Sequence, residues 1–409
     1  MPDPRGILER CDALARHSEL AGGLTRVFLS PEQAAANELV IGWMRDAGMS
    51  AKPDAIGNIV GRYEGERPGL PALLLGSHLD TVRDAGRFDG MLGVVSAIEC
   101  IADLAARGKR LSFAIEVIGF ADEEGVRFGS TLLGSRAVAG TFKRELLDSV
   151  DTNGVSMRAA MRESGLDPER IAQAAHRRED VLAYAELHIE QGPVLEAEGL
   201  PVGVVTAING ATRLAIEIEG FAGHAGTVPM NLRRDALAAA AECVLAIERR
   251  CGGVPELVGT VGKLETLPGA VNVIPGKVRF TIDLRSPRDP ERLAAMTGVV
   301  TEMQAIARRR NVALTVSKTH EGGVANCAPW LQEQIGAAIA AEGIPVRRLP
   351  SGAGHDGMAM IELCDIGMLF VRCEKGISHN PAEKITAEDA QTGARVLLRF
   401  IENFRPNAG

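Results

Sequence analysis

Residues 72–80 read ALLLGSHLD, an almost unbroken apolar run that passes straight into His78 and Asp80. Such a run predicts a strand over 72–76 covered on both faces, and an open α/β sheet carries its chemistry at the ends of such strands. Stretches 111–120, 184–189 and 367–373 are predicted strands of the same kind. Alanine-rich stretches of helical period predict helices over 92–107, 330–342 and 387–404. The expected class is α/β, a mixed sheet covered by helices.

The middle of the chain has a different texture. Residues 213–221, RLAIEIEGF, alternate apolar and charged side chains, as do 278–285 (VRFTIDLR) and 312–317, with a helical stretch over 235–250. Alternation marks strands with one wet face. A smaller α+β domain over 210–321 is therefore expected, inserted into a larger domain made of 1–209 and 322–409.

Composition narrows the function. Of 409 residues, 46% are hydrophobic and 24% charged, which excludes disorder as the main state. Lys plus Arg number 45 against 53 for Asp plus Glu, a net charge of −8, and aromatics are only 4%, so neither a basic footprint nor a stacking surface for nucleic acid is present. The opening MPDPRGILERCDALARH lacks the apolar run of about 7 to 15 residues that a secretory signal needs. No charge-free stretch reaches membrane-spanning length. The seven cysteines are odd in number, scattered and never in a C-x-x-C pair. A cytoplasmic protein with reduced thiols and no membrane partner is expected.

The chemistry gathers at predicted strand ends. His78 and Asp80 are spaced to project to one side, and a metal-bound imidazole usually gives its other ring nitrogen to a carboxylate; a surface loop also fits this pair. Asp89, in RFDGMLG, precedes a helix among small residues, where the plain alternative is a helix N-cap. Asp122, Glu123 and Glu124 close the strand of ADEE; adjacent buried carboxylates repel unless cations neutralise them, although a solvated acidic loop gives the same letters. His188 stands in ELHIEQGP and His379 in the turn GISHNP. Singly, each has a bland reading as a core or loop residue.

Together, three histidines and carboxylates at strand ends supply the nitrogen and oxygen donors that zinc or manganese accepts, with cobalt or nickel also compatible. Two ions about 3.5 to 4 Å apart can share a carboxylate and activate water. Of two adjacent glutamates, one can bind metal while the other acts as general base.

The blocks GSHLDTV, GRFDGMLG, ADEEGVRF, ELHIEQGPVLE, GHAGTVPM, NVIPG and GISHNPAE, in this order and spacing, resemble the amidase, hydantoinase/carbamoylase branch of the M20 metallopeptidase family, from about residue 50 to the C-terminus. The resemblance implies a dinuclear metal-dependent amidohydrolase that cleaves the ureido carbon–nitrogen bond of N-carbamoyl-L-amino acids, with allantoate or ureidoglycolate as the alternative substrates and a dipeptidase of the same fold as the rival. It implies that His78 and His188 bind one ion and Glu124 and His379 the other, with Asp89 bridging, Glu123 as general base and Asp80 as partner of His78. Peptidase relatives usually place an acidic residue at the position of His188, a departure that favours the carbamoylase branch.

The resemblance further implies that His224 reaches an active site from a partner subunit to stabilise an oxyanion, so that the inserted domain acts as lid and homodimer interface. Asn272 and Arg285 match residues that hold the substrate carboxylate, for which arginine's planar fork is suited; a strand-edge salt bridge is the bland option for Arg285. Gln191 and the loop SGAGHDG, with Gly354, His355 and Asp356, match positions near the ligand. For His355, substrate contact and structural hydrogen bonding stay equally open.

Overall fold

All seven residues of the Ala72–His78 strand are buried. It lies between Ala114–Phe120 and Val181–Ile189, parallel to both, and Val181–Ile189 is parallel in turn to Ile366–Val371. These central strands are flanked by antiparallel neighbours, Ile59–Tyr63 on one side and Val202–Ile208 on the other. Among the described residues the sheet has nine strands and is mixed.

The computed structural model describes residues 4–407. The chain divides into two compact units, Met1–Thr206 with Asn326–Gly409, and Ala207–Ala325. In the first unit, alternate residues of the central strands, among them Leu73, Leu75, Val117, Ala185 and Leu187, enter one core with Val94, Ile98 and Ile101 of the Met91–Ala106 helix and Ala394 and Leu397 of Ala387–Asn403. The latter helix starts where the Thr386 hydroxyl accepts the N–H of Asp389, a capping bond that satisfies one orphan donor. The strand predicted over 111–120 begins only at Ala114, because the Leu111 carbonyl is taken by the N–H of Glu66 in a bend before the ladder starts.

Helical crossovers orient the four parallel strands alike, so their carboxyl ends open on one edge of the sheet. His78 ends one strand, Asp122 to Glu124 follow the end of a second, His188 sits near the end of a third, and His379 lies beyond the end of the fourth.

The second unit carries an antiparallel sheet of five strands, ordered Leu264–Leu267, Lys277–Ser286, Gly210–Glu219 and Ala313–Gly322, with Val258–Thr260 paired to Lys277–Ser286. Leu214, Ile216, Ile218, Phe280 and Ile282 pack against Cys243 and Ile247 of Ala236–Gly252 and Val299 and Met303 of Asp289–Arg310. The opposite face is charged: Glu217 pairs with Arg279 at 2.7 Å and Asp283 with Arg213 at 3.1 Å, across register neighbours. The alternating letters report this one wet face. A separate two-stranded antiparallel ladder pairs Gly223–His224 with Val273–Ile274. No helix among the described residues is long and apolar enough to cross a membrane.

Candidate metal centre

Asp89 is buried at the centre of the cluster, and its two carboxylate oxygens face different partners. Oδ1 lies 3.2 Å from His188 Nε2 and 3.6 Å from His78 Nε2, while Oδ2 lies 3.1 Å from His379 Nε2. Glu124 Oε1 is 3.5 Å from the same His379 nitrogen. Among the described residues, four groups each bring one donor atom per residue within 4.8 Å of the others: His78, Asp89 and His188; His78, Glu123 and Glu124; Asp89, Glu124 and His379; and Glu186, His188 and His355. Asp89 is not the helix cap: Gly90 occupies that position at φ 76 with no side-chain bond, so the aspartate is left for the cluster.

The buried imidazoles are oriented from behind. His78 Nδ1 donates to the Asp80 carbonyl at 3.0 Å and His188 Nδ1 to the Ile189 carbonyl at 2.9 Å, which turns the Nε2 atoms toward Asp89. This is the tautomer a ligating histidine needs. The backbone of Gly90 presses on the same rings: its N–H reaches His188 Nε2 at 3.2 Å, and a Cβ there would come within 2.6 Å of the His78 ring. The Asp80 carboxylate lies 3.6 Å from His78 Nδ1, and its two oxygens also accept the N–H groups of Glu123 and Glu124 at 3.0 and 3.1 Å. It thus holds the two glutamates in place.

Electrostatics favour cations here. Burial, then the neighbouring Glu124 charge, pushes the Glu123 carboxyl well above the usual range. Burial, with Asp89 and Asp80 adding repulsion against the attraction of His78, raises Glu124 to about 7. Burial would lower the His78 pKa, but Asp89, Asp80 and Glu123 outweigh it and hold the ring well above its ordinary value. Asp89 goes the other way: its hydrogen bonds from His188, His379 and His78 overcome burial and keep it strongly acidic. Buried carboxylates that repel one another around converging imidazole nitrogens fit divalent ions. The Gln191 side chain agrees: its Nε2 donates to Asp89 Oδ2 at 3.1 Å while its Oε1 is buried without a hydrogen-bond partner.

Of the remaining predicted residues, Gly354 adjoins Glu123, since a Cβ built on it would lie 3.7 Å from the Glu123 Oε1. His355 is 1% exposed, with Nε2 2.7 Å from the Ser351 hydroxyl and its ring edge-on to His188 at 4.4 Å. Of its two open readings, structural hydrogen bonding is the one these contacts match. Asp356 is fully buried beside it.

His224, Asn272 and Arg285 belong to the second unit. His224 ends one strand of the small ladder and Asn272 precedes the other, and the Asn272 carbonyl accepts the N–H of Ala225 at 2.9 Å. His224 is exposed, and its Nδ1 accepts the N–H of Gly226 at 3.0 Å, which places the ring hydrogen on Nε2. Arg285 forms two bonds of 3.0 Å with Asp283 on its own strand, which at this position is no sheet edge, being paired with Ala211 on one side and Val258 on the other.

Three residues of the cluster carried no role in the sequence reading. Glu186 lies one strand repeat before His188 on the same face and accepts the hydroxyls of Ser77 and Tyr184 at 2.8 and 2.9 Å. Ser378 and Glu383 sit in the His379 turn, inside the block GISHNPAE. The spacing of two from a candidate ligand, and an acid in the same turn, were the available signals.

A mixed sheet whose parallel strand ends gather imidazoles around a shared carboxylate, beside an unattached glutamate, defines a metal-dependent hydrolase. The sequence profile of peptidase family M20/M25/M40 matches residues 74–403, and the chain belongs to this family. It is 44% identical over 381 residues to an N-carbamoyl-L-amino acid amidohydrolase of Geobacillus stearothermophilus, with 93% of each chain covered. It is 41% identical over 427 residues to an allantoate deiminase of Arabidopsis thaliana, covering 96% of this chain and 81% of that one. The crystal structure of an amidase of the hydantoinase/carbamoylase family from Burkholderia multivorans superposes with a TM-score of 0.92 at 32% identity, covering 98% of this chain and 97% of the other. The chain is accordingly a hydrolase of carbon–nitrogen bonds in linear amides, other than peptide bonds.

Proposed function

We propose that the protein hydrolyses the ureido carbon–nitrogen bond of a small N-carbamoyl acid, an N-carbamoyl-L-amino acid first and allantoate second. The observation that carries this reading is the division of Asp89, one oxygen toward His78 and His188 and the other toward His379 and Glu124. His78 and His188 would hold one divalent ion and Glu124 and His379 a second, with Asp89 shared between the two sets; zinc or manganese suits these donors, as do cobalt and nickel. Such ions, when bound, polarise the ureido carbonyl and acidify the attacking water.

The chain's own groups do the rest. Glu123, held by its backbone bond to Asp80 and with a carboxyl that binds protons readily, removes the proton from water and returns it to the leaving nitrogen. Water attacks the carbamoyl carbon, the bond to the terminal nitrogen breaks and ammonia leaves; the N-carboxy acid that remains loses carbon dioxide as its own carbon–nitrogen bond breaks and the nitrogen takes up the proton, giving the free amine. Gln191 and Gly354 border the reacting group, and His355 supports His188 from behind. Arg285 and Asn272 grip the substrate carboxylate. His224, with its Nε2 hydrogen facing solvent, donates to the developing oxyanion of a partner subunit, so the second unit serves as lid and homodimer interface. The seven buried free thiols support a reducing, cytoplasmic setting.

Metal-reconstituted protein is to be assayed for ammonia release from N-carbamoyl-L-methionine, allantoate and N-carbamoyl-β-alanine. Turnover is expected with the first and, more slowly, with the second. Failure on all three, with cleavage of dipeptides, overturns the proposal in favour of a peptidase.

A further inference from the structure

Beyond the ligands named above, one buried carboxylate ties together the two loops on which Asp89 and His379 stand. Glu383 is 3% exposed. Its Oε1 accepts the N–H of Phe88 at 2.8 Å and of Asp89 itself at 3.2 Å, and its Oε2 accepts the Ser378 hydroxyl at 3.0 Å. Ser378 Oγ is also 3.1 Å from Asp89 Oδ2 and 3.1 Å from Gln191 Nε2. One carboxylate thus meets the backbone that carries Asp89 and the side chain next to His379, whose own backbone is left-handed at φ 53.

The opposing loop is shaped to admit it. A Cβ on Gly86 would lie 2.1 Å from Glu383 Cδ and 2.2 Å from its Oε1, so only glycine at 86 leaves room for the carboxylate. The turn closes on itself through the N–H of Glu383 and the carbonyl of Asn380 at 3.0 Å.

We propose that Glu383 is a positioning residue for the outer donor set: it fixes Asp89 and the Ser378–His379 turn in one frame, so that Asp89 Oδ2, Glu124 and His379 present a single site. The inference rests on the dinuclear reading above. The inner set is held independently, by the carbonyls of Asp80 and Ile189 behind His78 and His188. Loss of Glu383 therefore acts on one ion more than on the other. Glutamine fits the same frame, since its Oε1 can accept both amides and its Nε2 can donate to Ser378 Oγ.

The test is a titration of metal-free protein with cobalt, followed by visible absorption and by equilibrium dialysis. Wild type is expected to take up two ions. Glu383→Ala should bind the first with wild-type affinity and the second about 10 to 100-fold more weakly, the usual cost of removing a group that supports a ligand. Glu383→Gln should restore the second ion and its absorption bands. If Glu383→Ala does not fold, Gly86→Ala decides alone, because its methyl displaces the carboxylate while the residue remains; it should weaken the second ion selectively. Two ions bound as in wild type by the variant that decides, or equal weakening of both, overturns the inference. Wild type that binds fewer than two ions removes the dinuclear reading and this inference with it, a result visible before any variant is made.

Discussion

The two flanks of Asp89 are built differently. On the inner flank, His78 and His188 are 2% and 1% exposed, stand on core strands of the sheet, and have their Nδ1 atoms locked by main-chain carbonyls. On the outer flank, the His379 side chain is 51% exposed and sits in a turn, beside a Glu124 side chain that is 11% exposed. The inner flank inherits its geometry from the fold. The outer flank depends on local ties, of which Glu383 and Asp80 are the main ones. A scaffold of strands can make one donor set rigid while loops leave the other open to substrate.

The largest effect should fall on the group that belongs to neither ion. Glu123→Gln is expected to keep metal content on both flanks and to lower kcat roughly 10² to 10⁴-fold, the usual share of a general base. A kcat within a factor of about three of wild type removes Glu123 from proton transfer.

The contrast between the flanks is sharpest in unfolding by urea without metal. His188→Ala leaves the buried Asp89 with one hydrogen-bond partner fewer and should cost about 1 to 3 kcal/mol. His379→Ala, at an exposed turn, should stay within about 0.5 kcal/mol of wild type. Equal costs would erase the distinction drawn above.

Arg285 belongs to the second unit. Arg285→Ala should raise KM about tenfold for a carboxylate substrate, the loss of one charge-assisted contact, with metal content unchanged. An unaltered KM would leave its bond to Asp283 as its whole role.

The smallest effect is on pH dependence. Burial first, then the charge of Asp89, holds Glu383 at about 7 and, partly offset by His78, Glu124 at about 7, against 4.5 for a free glutamate. Between those values the folded metal-free protein keeps protons that the unfolded chain releases, so stability falls as pH rises from about 5 to 7. The raised histidines act in the same direction, and the neutral His355 opposes them. Metal-free protein should lose about 2 to 4 °C in Tm over that range, whereas the metal-loaded protein, its carboxylates neutralised by ions, should not.

Much of this was legible in the letters. Apolar runs located the central strands, since a strand buried on both faces has nowhere to put a polar side chain, and alternation located the charged face of the second unit. The inner histidines could be seen because each interrupts such a run. Glu383 could not be given a role, because its work is a contact with Phe88, 295 residues away in the chain, and nothing local distinguishes it from a solvated turn acid. A second contact of the Asp80 carboxylate was hidden for a similar reason: its spacing from His78 was visible, but the amides of Glu123 and Glu124 that it accepts follow another strand.

Gly90 lies where the backbone turns into a helix, against both inner imidazoles. An alanine there adds a single methyl group, and that methyl acts as a wedge against the His78 ring. Inactivation of this protein therefore needs no change in any ligand; one carbon atom in a place that chemistry alone would overlook is enough to prise the centre apart.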